Sequence, residues 1–264
     1  LSPYRTEPFR VTSPRHKWGG HSYLLSTCAL PEEEAPLTIN FKEDVFLWDK
    51  KDLPLDFGCD ANFSDKEKIF FEDAIDQWEQ ATQTDLFNEL KPIENPGFLN
   101  LSDYYYKDSK MGIYKSDNPV LEILPEHLAA CQVKVEYSHN IDTKKVFHIK
   151  HADIVFNYKD HTFKTELDDR GFDLPSVFLH EVGHVLGLRD RDSGVMAGTM
   201  TIDEIRRELS PDLEDEIFNL YNNADYDCFN REPAQEPYPI SKNYKITFFM
   251  KKDRTIEKKI EQCD

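Results

Sequence analysis

His180-Glu181-Val182-Gly183-His184-Val185-Leu186-Gly187-Leu188-Arg189-Asp190 carries H-E-x-x-H, a glycine three residues on, and an acidic residue three beyond that. On a helix, positions i and i+4 share a face, so His180 and His184 can both reach one zinc ion. Glu181 sits between them, placed to hold water at the metal without being a ligand. Gly187 can end the helix in a left-handed turn that swings the chain back and delivers Asp190 to the same ion. The stretch reads as a catalytic zinc site: His180, His184 and Asp190 as ligands, Glu181 as general base. The competing reading, two core histidines on a buried helix, does not account for the glycine and the aspartate at fixed offsets.

The flanks agree. Asp173 can N-cap a helix, Pro175 is tolerated in its first turn, and Val177, Phe178, Val182, Val185 and Leu186 supply apolar surface around the site. A zinc helix is predicted over 173–187. Ser64-Asp65-Lys66-Glu67 is a capping box followed by Ile69, Phe70, Ala74, Trp78 and Ala81 at helical spacing, which predicts a helix from 65 to about 84. Ser210-Pro211 starts a last helix with Leu213, Ile217, Leu220 and Tyr221 on one side. Between 98 and 165, Met111–Tyr114, Gln132–Tyr137 and Asp153–Tyr158 are short β-rich segments separated by turn formers, and Leu37–Phe41 is a further strand candidate. Residues 1–35 read as an irregular N-terminal arm. Beyond Asp225 the chain is Pro-rich and then alternates around Tyr244–Met250, as expected of a hairpin or a small appendage.

With 264 residues, 39% hydrophobic, the chain suffices for one substantial domain with extensions. No apolar run approaches the ~20 residues needed to span a bilayer, so no membrane insertion is expected. A formal charge of −18 argues against nucleic acid and anionic membranes, both of which demand a basic face. No signal peptide is visible, but the first residue is Leu1 rather than Met, which suggests a cleaved or omitted targeting segment. Cys28, Cys59, Cys131, Cys228 and Cys263 show no C-x-x-C pairing. In an exported protein two disulfides and one free thiol are expected, Cys228 with Cys263 stapling the tail; reduced buried cysteines are the alternative.

On these residues the chain resembles a metzincin, and within that clan a matrixin of bacterial type. The resemblance covers residues 36–224, taken as the catalytic domain, with 225–264 as a C-terminal extension. It runs from Pro36-Leu37-Thr38-Ile39 and the helix holding Ala74 and Trp78, through Ala152-Asp153-Ile154-Val155-Phe156-Asn157, to Leu209-Ser210-Pro211-Asp212 and Leu220-Tyr221. It implies an α+β fold: a twisted mixed sheet of about five strands with an active-site helix, a packing helix and a C-terminal helix. It also implies a methionine in a turn beneath the zinc. Ser193-Gly194-Val195-Met196 is similar to the family's version, with Met200 as the competitor.

The chain departs from the family in three places. The usual third ligand is His, whereas Asp190 stands here, as in snapalysin-like metzincins. Its extra negative charge would leave the water at the metal less acidified and raise the pH at which activity begins. Only a short stretch separates Asn157 from the zinc helix, so the long loop that holds a structural zinc and calcium in vertebrate matrixins is missing; calcium is not indicated, and His148, His151 and His161 read as polar surface. The arm has no P-R-C-G-x-P-D latency motif, which leaves Cys28 only weakly placed to cap the zinc.

The resemblance thus implies a secreted or periplasmic zinc endopeptidase acting on protein or peptide substrates. Substrate is expected to lie extended against an edge strand near His161–Thr165, with a specificity pocket walled by about 197–209. A non-catalytic binding protein on the same scaffold, or a zinc hydrolase of another amide such as a cell-wall peptide, are the alternatives.

Overall fold

The computed structural model describes residues 39–101, 103, 104, 110–223, 226, 243–252 and 257–263. Its sheet is organised around β6 (Lys144–Asn157), whose apolar pairs and runs, Val146–Phe147 and Ile154–Phe156, suit a central strand buried along most of its length. On one side β6 pairs in parallel with β1 (Val45–Trp48) along its first half and with β4 (Met111–Ser116) along its second. β2 (Phe57–Asp60) and β3 (Lys91–Ile93) continue the sheet in parallel beyond β4. On the other side lies β5 (His127–Ile141), antiparallel and joined to β6 by a tight turn in which Asp142 has φ of 53°. β9 (Asn243–Lys251) pairs antiparallel with β5, and β10 (Glu257–Cys263) with β9.

Among the described residues the mixed sheet therefore has eight strands, not about five. The increase comes in part from the C-terminal hairpin, whose strand partner lies more than a hundred residues back in the chain. β7 (Phe163–Lys164) and β8 (Phe172–Asp173) form a separate two-residue ladder, so the expected edge strand near 161–165 is not an edge of the main sheet. The strand candidate at 37–41 is also corrected. Asn40 O accepts from Glu43 N and Asp44 N, closing a turn there, and the first strand starts at Val45; Leu37 and Thr38 lie outside the described residues.

Both faces of the central strands are covered. Helix α1 (Asp65–Thr82) opens with its capping box formed, and helix α2 (Leu174–Val185) packs beside it. On this face Phe71 lies 4.3 Å from Phe178 and 6.1 Å from Phe156, ring centre to ring centre. On the opposite face Leu101, Tyr104, Val120 and Ile123 close over Tyr114, Ala130, Val155 and Phe249. Period-two alternation sends Phe156 to the helices and Val155 to the other layer. Helix α3 (Pro211–Asn222) buries Leu213, Ile217 and Tyr221; Ser210 occupies its N-cap position without a side-chain hydrogen bond.

Double coverage overturns the surface assignment of two histidines. His148 and His151 on β6 are buried. His151 Nε2 lies 2.8 Å from Asp153 Oδ2, and His148 Nδ1 lies 3.8 Å from Asp49 Oδ2. Burial holds the pKa of His148 below its usual value, against the opposing pull of Asp49. His161 is half-buried, edge-on to Phe172. The two-disulfide expectation fails as well. Cys59 and Cys131 are buried free thiols, and burial raises both pKa values, that of Cys59 to about 12. Cys28 and Cys228 lie outside the described residues. Among the described residues no helix is long and apolar enough to cross a membrane.

Candidate active site

Asp173 sets the start of α2. Its carboxylate accepts from Ser176 N (3.2 Å) and Ser176 Oγ (2.6 Å), and Arg207 grips both its oxygens at 2.5 and 2.9 Å. Three aromatic donors hold the helix further along, one at its middle and two at its C-terminal end. Trp78 Nε1 donates to Leu179 O (3.1 Å), Trp48 Nε1 to Val185 O (2.8 Å), and Tyr221 Oη to Leu186 O (3.1 Å). The last two occupy carbonyls that a helix terminus leaves without intrahelical partners. The turn that follows is thereby fixed from β1 and from α3.

Gly187 makes that turn with φ of +95°. Its N–H donates to His184 O (3.0 Å), and Leu188 N donates back to Gly183 O (2.9 Å). A Cβ at Gly187 would lie 2.0 Å from Phe46 O, so β1 passes too close for any side chain. Beneath the helix, a Cβ at Gly183 would lie 2.3 Å from Met196 Sδ. Met196 is fully buried against the zinc helix, whereas Met200 lies further on, where its N–H donates to Lys251 O (2.8 Å).

The imidazoles are oriented by backbone. His180 Nδ1 faces Val195 O at 2.9 Å and His184 Nδ1 faces Leu188 O at 2.9 Å. A carbonyl only accepts, so each Nδ1 carries the proton and each Nε2 is free to offer a lone pair. The two Nε2 atoms are 3.0 Å apart, and Asp190 Oδ1 lies 3.6 Å from His180 Nε2 and 3.4 Å from His184 Nε2. A tetrahedral zinc with bonds of about 2.0–2.1 Å has ligand–ligand edges of about 3.3 Å, so this triangle fits one face of such a site. Both carboxylate oxygens of Glu181 and both of Asp190 are buried without a hydrogen-bond partner. Glu181 also brings an oxygen within 4.8 Å of the two imidazoles. Buried, unsatisfied acceptors around facing lone pairs are costly unless a cation is shared among them. The donor set therefore fits a zinc ion. Asp192, the next carboxylate along the chain and the other residue that could serve as third ligand, is exposed.

Electrostatics sort the four groups. Burial pushes His180 down to about 3, helped by His184. Burial also depresses His184, but the Asp190 carboxylate, Glu181 and the Leu188 carbonyl together outweigh it and the net shift is upward. Glu181 is pushed up to about 8, first by burial; His184 opposes this and Asp190 adds to it. Burial acts to raise Asp190, but His184, His180 and Lys258 together hold it below its ordinary value.

The site is closed from outside. His180, Glu181 and His184 have no exposed surface, and the Asp190 side chain is 6% exposed. The cover includes β9: Phe248 stacks flat on His184, ring centres 4.0 Å apart and planes within 9°. The sequence hinted at β9 only through its alternation. Trp48 and Arg207 carried no signal, because their bonds join residues far apart in the chain.

The model of the matrixin family matches residues 47–222. Comparison with curated proteins returned no match. The matched region takes in the second half of β1, the packing helix, the zinc helix with its glycine turn, and all of α3. On that match and this fold, the chain belongs to the matrixin family of zinc-dependent metallopeptidases.

Proposed function

We propose that the chain is a zinc-dependent endopeptidase in which His180, His184 and Asp190 hold the metal and Glu181 is the general base. The observation that carries this reading is the triangle of ligand atoms, with edges of 3.0, 3.4 and 3.6 Å, beside the unpartnered Glu181 carboxylate. When bound there, zinc would polarise the scissile carbonyl and lower the pKa of water. Glu181 takes the proton from the attacking water and hands it to the leaving amine. The Val195 and Leu188 carbonyls keep each imidazole in the tautomer with Nε2 available. Asp190 contributes negative charge where most of the family has a neutral ring, so activity should set in at a higher pH than at a three-histidine site. Met196 supports the helix from below. Export from the cytoplasm is part of the same reading and rests on the family alone.

A second reading is favoured by the burial of the site: a scaffold that binds without cleaving. The test is cleavage of casein by zinc-loaded protein, intact and after cutting at a protease site inserted between Ala234 and Gln235, beside Glu181→Ala. Turnover in either form, lost in Glu181→Ala with zinc still bound, is the expected result. Equal turnover by Glu181→Ala would overturn the role of Glu181. No turnover in either zinc-loaded form would overturn the peptidase and leave the binding scaffold.

A further inference from the structure

Without β9, strand β5 would be the edge of the sheet beside the zinc helix, offering an unpaired ladder of N–H and C=O groups. β9 takes the first two-thirds of that ladder, from His127↔Lys251 to Glu136↔Asn243, in antiparallel register. Its far end is gripped from the other side too. Lys251 N donates to Gly198 O (3.0 Å), Met200 N donates to Lys251 O (2.8 Å), and Thr199 bridges Lys251 in parallel. Residues 198–200 open the segment that the sequence marked as the wall of the specificity pocket. β10 leaves β9 free for this contact, since its pairing stops at Phe249.

An extended segment thus runs between the strand and the wall, across the catalytic helix. Alternation turns Ile246, Phe248 and Met250 to one face, and all three are buried. Phe248 is the residue that lies flat on His184 and edge-on to Phe41. From β10, Lys258 extends its ammonium over the Phe41 ring, 4.0 Å from the centroid.

Building on the peptidase reading, we propose that β9 occupies the substrate groove of its own chain. The enzyme is then latent until the hairpin is displaced, and the groove accepts extended peptide with large apolar side chains at alternate positions. Strand addition gives the occupant its affinity through backbone pairing, and the facing apolar side chains give it selectivity. Tethered in the same chain, it competes at a high effective concentration, so a free substrate would have to reach that concentration to displace it.

The test uses the chain with the protease site between Ala234 and Gln235, cut, and the hairpin removed by gel filtration in mild urea. A fluorescein-labelled peptide spanning residues 243–263, with Cys263→Ser, is then added back. Expected results are binding by anisotropy in zinc-free protein, displacement of the peptide by unfolded casein, and casein turnover at least tenfold above that of the intact chain. The peptide should raise KM without changing kcat.

Should the stripped protein not stay folded, as judged by near-ultraviolet circular dichroism, the uncut double variant Phe248→Ala/Met250→Ala is used instead. It weakens the occupant in place and should also raise turnover. Equal turnover before and after release, or peptide binding that casein does not displace, overturns the proposal while leaving the peptidase intact. Binding and displacement without turnover would sink the peptidase and leave β9 as the occupant of the groove.

Discussion

Replacing Gly187 by alanine separates two effects that usually travel together, backbone strain and steric exclusion. Gly187 and Gly194 both have positive φ, +95° and +77°. A side chain in that region costs about 1–2 kcal/mol at either position. At Gly194 nothing lies within 4 Å of the new methyl, so strain is the whole penalty. At Gly187 the methyl meets Phe46 O at 2.0 Å and Phe46 C at 2.7 Å, both backbone atoms of β1. The strand or the turn must retreat by about 1 Å to reach even the tightest real contact, an overpacking cost of about 1–3 kcal/mol. Gly187→Ala should therefore lose about 2–5 kcal/mol and Gly194→Ala about 1–2 kcal/mol.

The turn also carries Asp190, so Gly187→Ala should weaken zinc binding by at least ~10-fold, about 1.4 kcal/mol, while Gly194→Ala leaves it near the original value. Urea unfolding of zinc-free protein reads the first quantity, and competition with a chromophoric chelator reads the second. Equal losses in the two variants, in both measurements, would refute the claim that β1 holds the turn in place.

Two further outcomes test the site and its support. Asp190→Ala should lower zinc affinity by more than the ~10–100-fold typical of losing an outer hydrogen-bond partner, with Asp192→Ala unchanged in the same titration. The reverse pattern would move the third ligand to Asp192. Glu67 accepts from Tyr158 Oη (2.6 Å) and Ser64 N (2.6 Å), with Lys115 Nζ at 3.4 Å. Burial acts to raise its pKa, but these partners prevail and hold it below the ordinary carboxylate value. Its contribution to stability is thus full above about pH 4.3, the unfolded value, and is lost as pH falls through the lower folded one. Glu67→Gln should be less stable at neutral pH by about 1–3 kcal/mol and show a shallower loss on acidification; an acid limb as steep as that of the unaltered chain would count against this.

Much of the site was legible because its parts are local. The spacing of His180, Glu181, His184, Gly187 and Asp190 needs only one helix and one turn, and the cap at Asp173 is three residues from Ser176. The Ser64–Glu67 capping box is equally local. What escaped is long-range. Tyr244–Met250 alternates as a strand should, but nothing within those residues says that β5 is its partner. His148 and His151 look like surface groups until β6 is seen to be covered on both faces. Phe163–Lys164 has strand-like composition, yet it pairs with Phe172–Asp173, apart from the main sheet. Leu37–Phe41 has the residues of a strand, but Asn40 closes a turn through its carbonyl, and Phe41 serves instead as a ring stacked on Phe46, 5.4 Å between centres.

The two aromatic donors at the end of α2 have a consequence for the order of assembly. Trp48 and Tyr221 stand near the two ends of the family-matched region, and both bond the last carbonyls of one helix. During synthesis the first of these residues must wait for Val185, and the glycine turn remains half-anchored until Tyr221 has emerged. Contacts of such separation form late, after the cost of closing a long loop has been met. Asp190 therefore reaches its place only when nearly the whole family-matched region has folded, and with the proposed ligand set tight metal binding would be a signature of a finished chain.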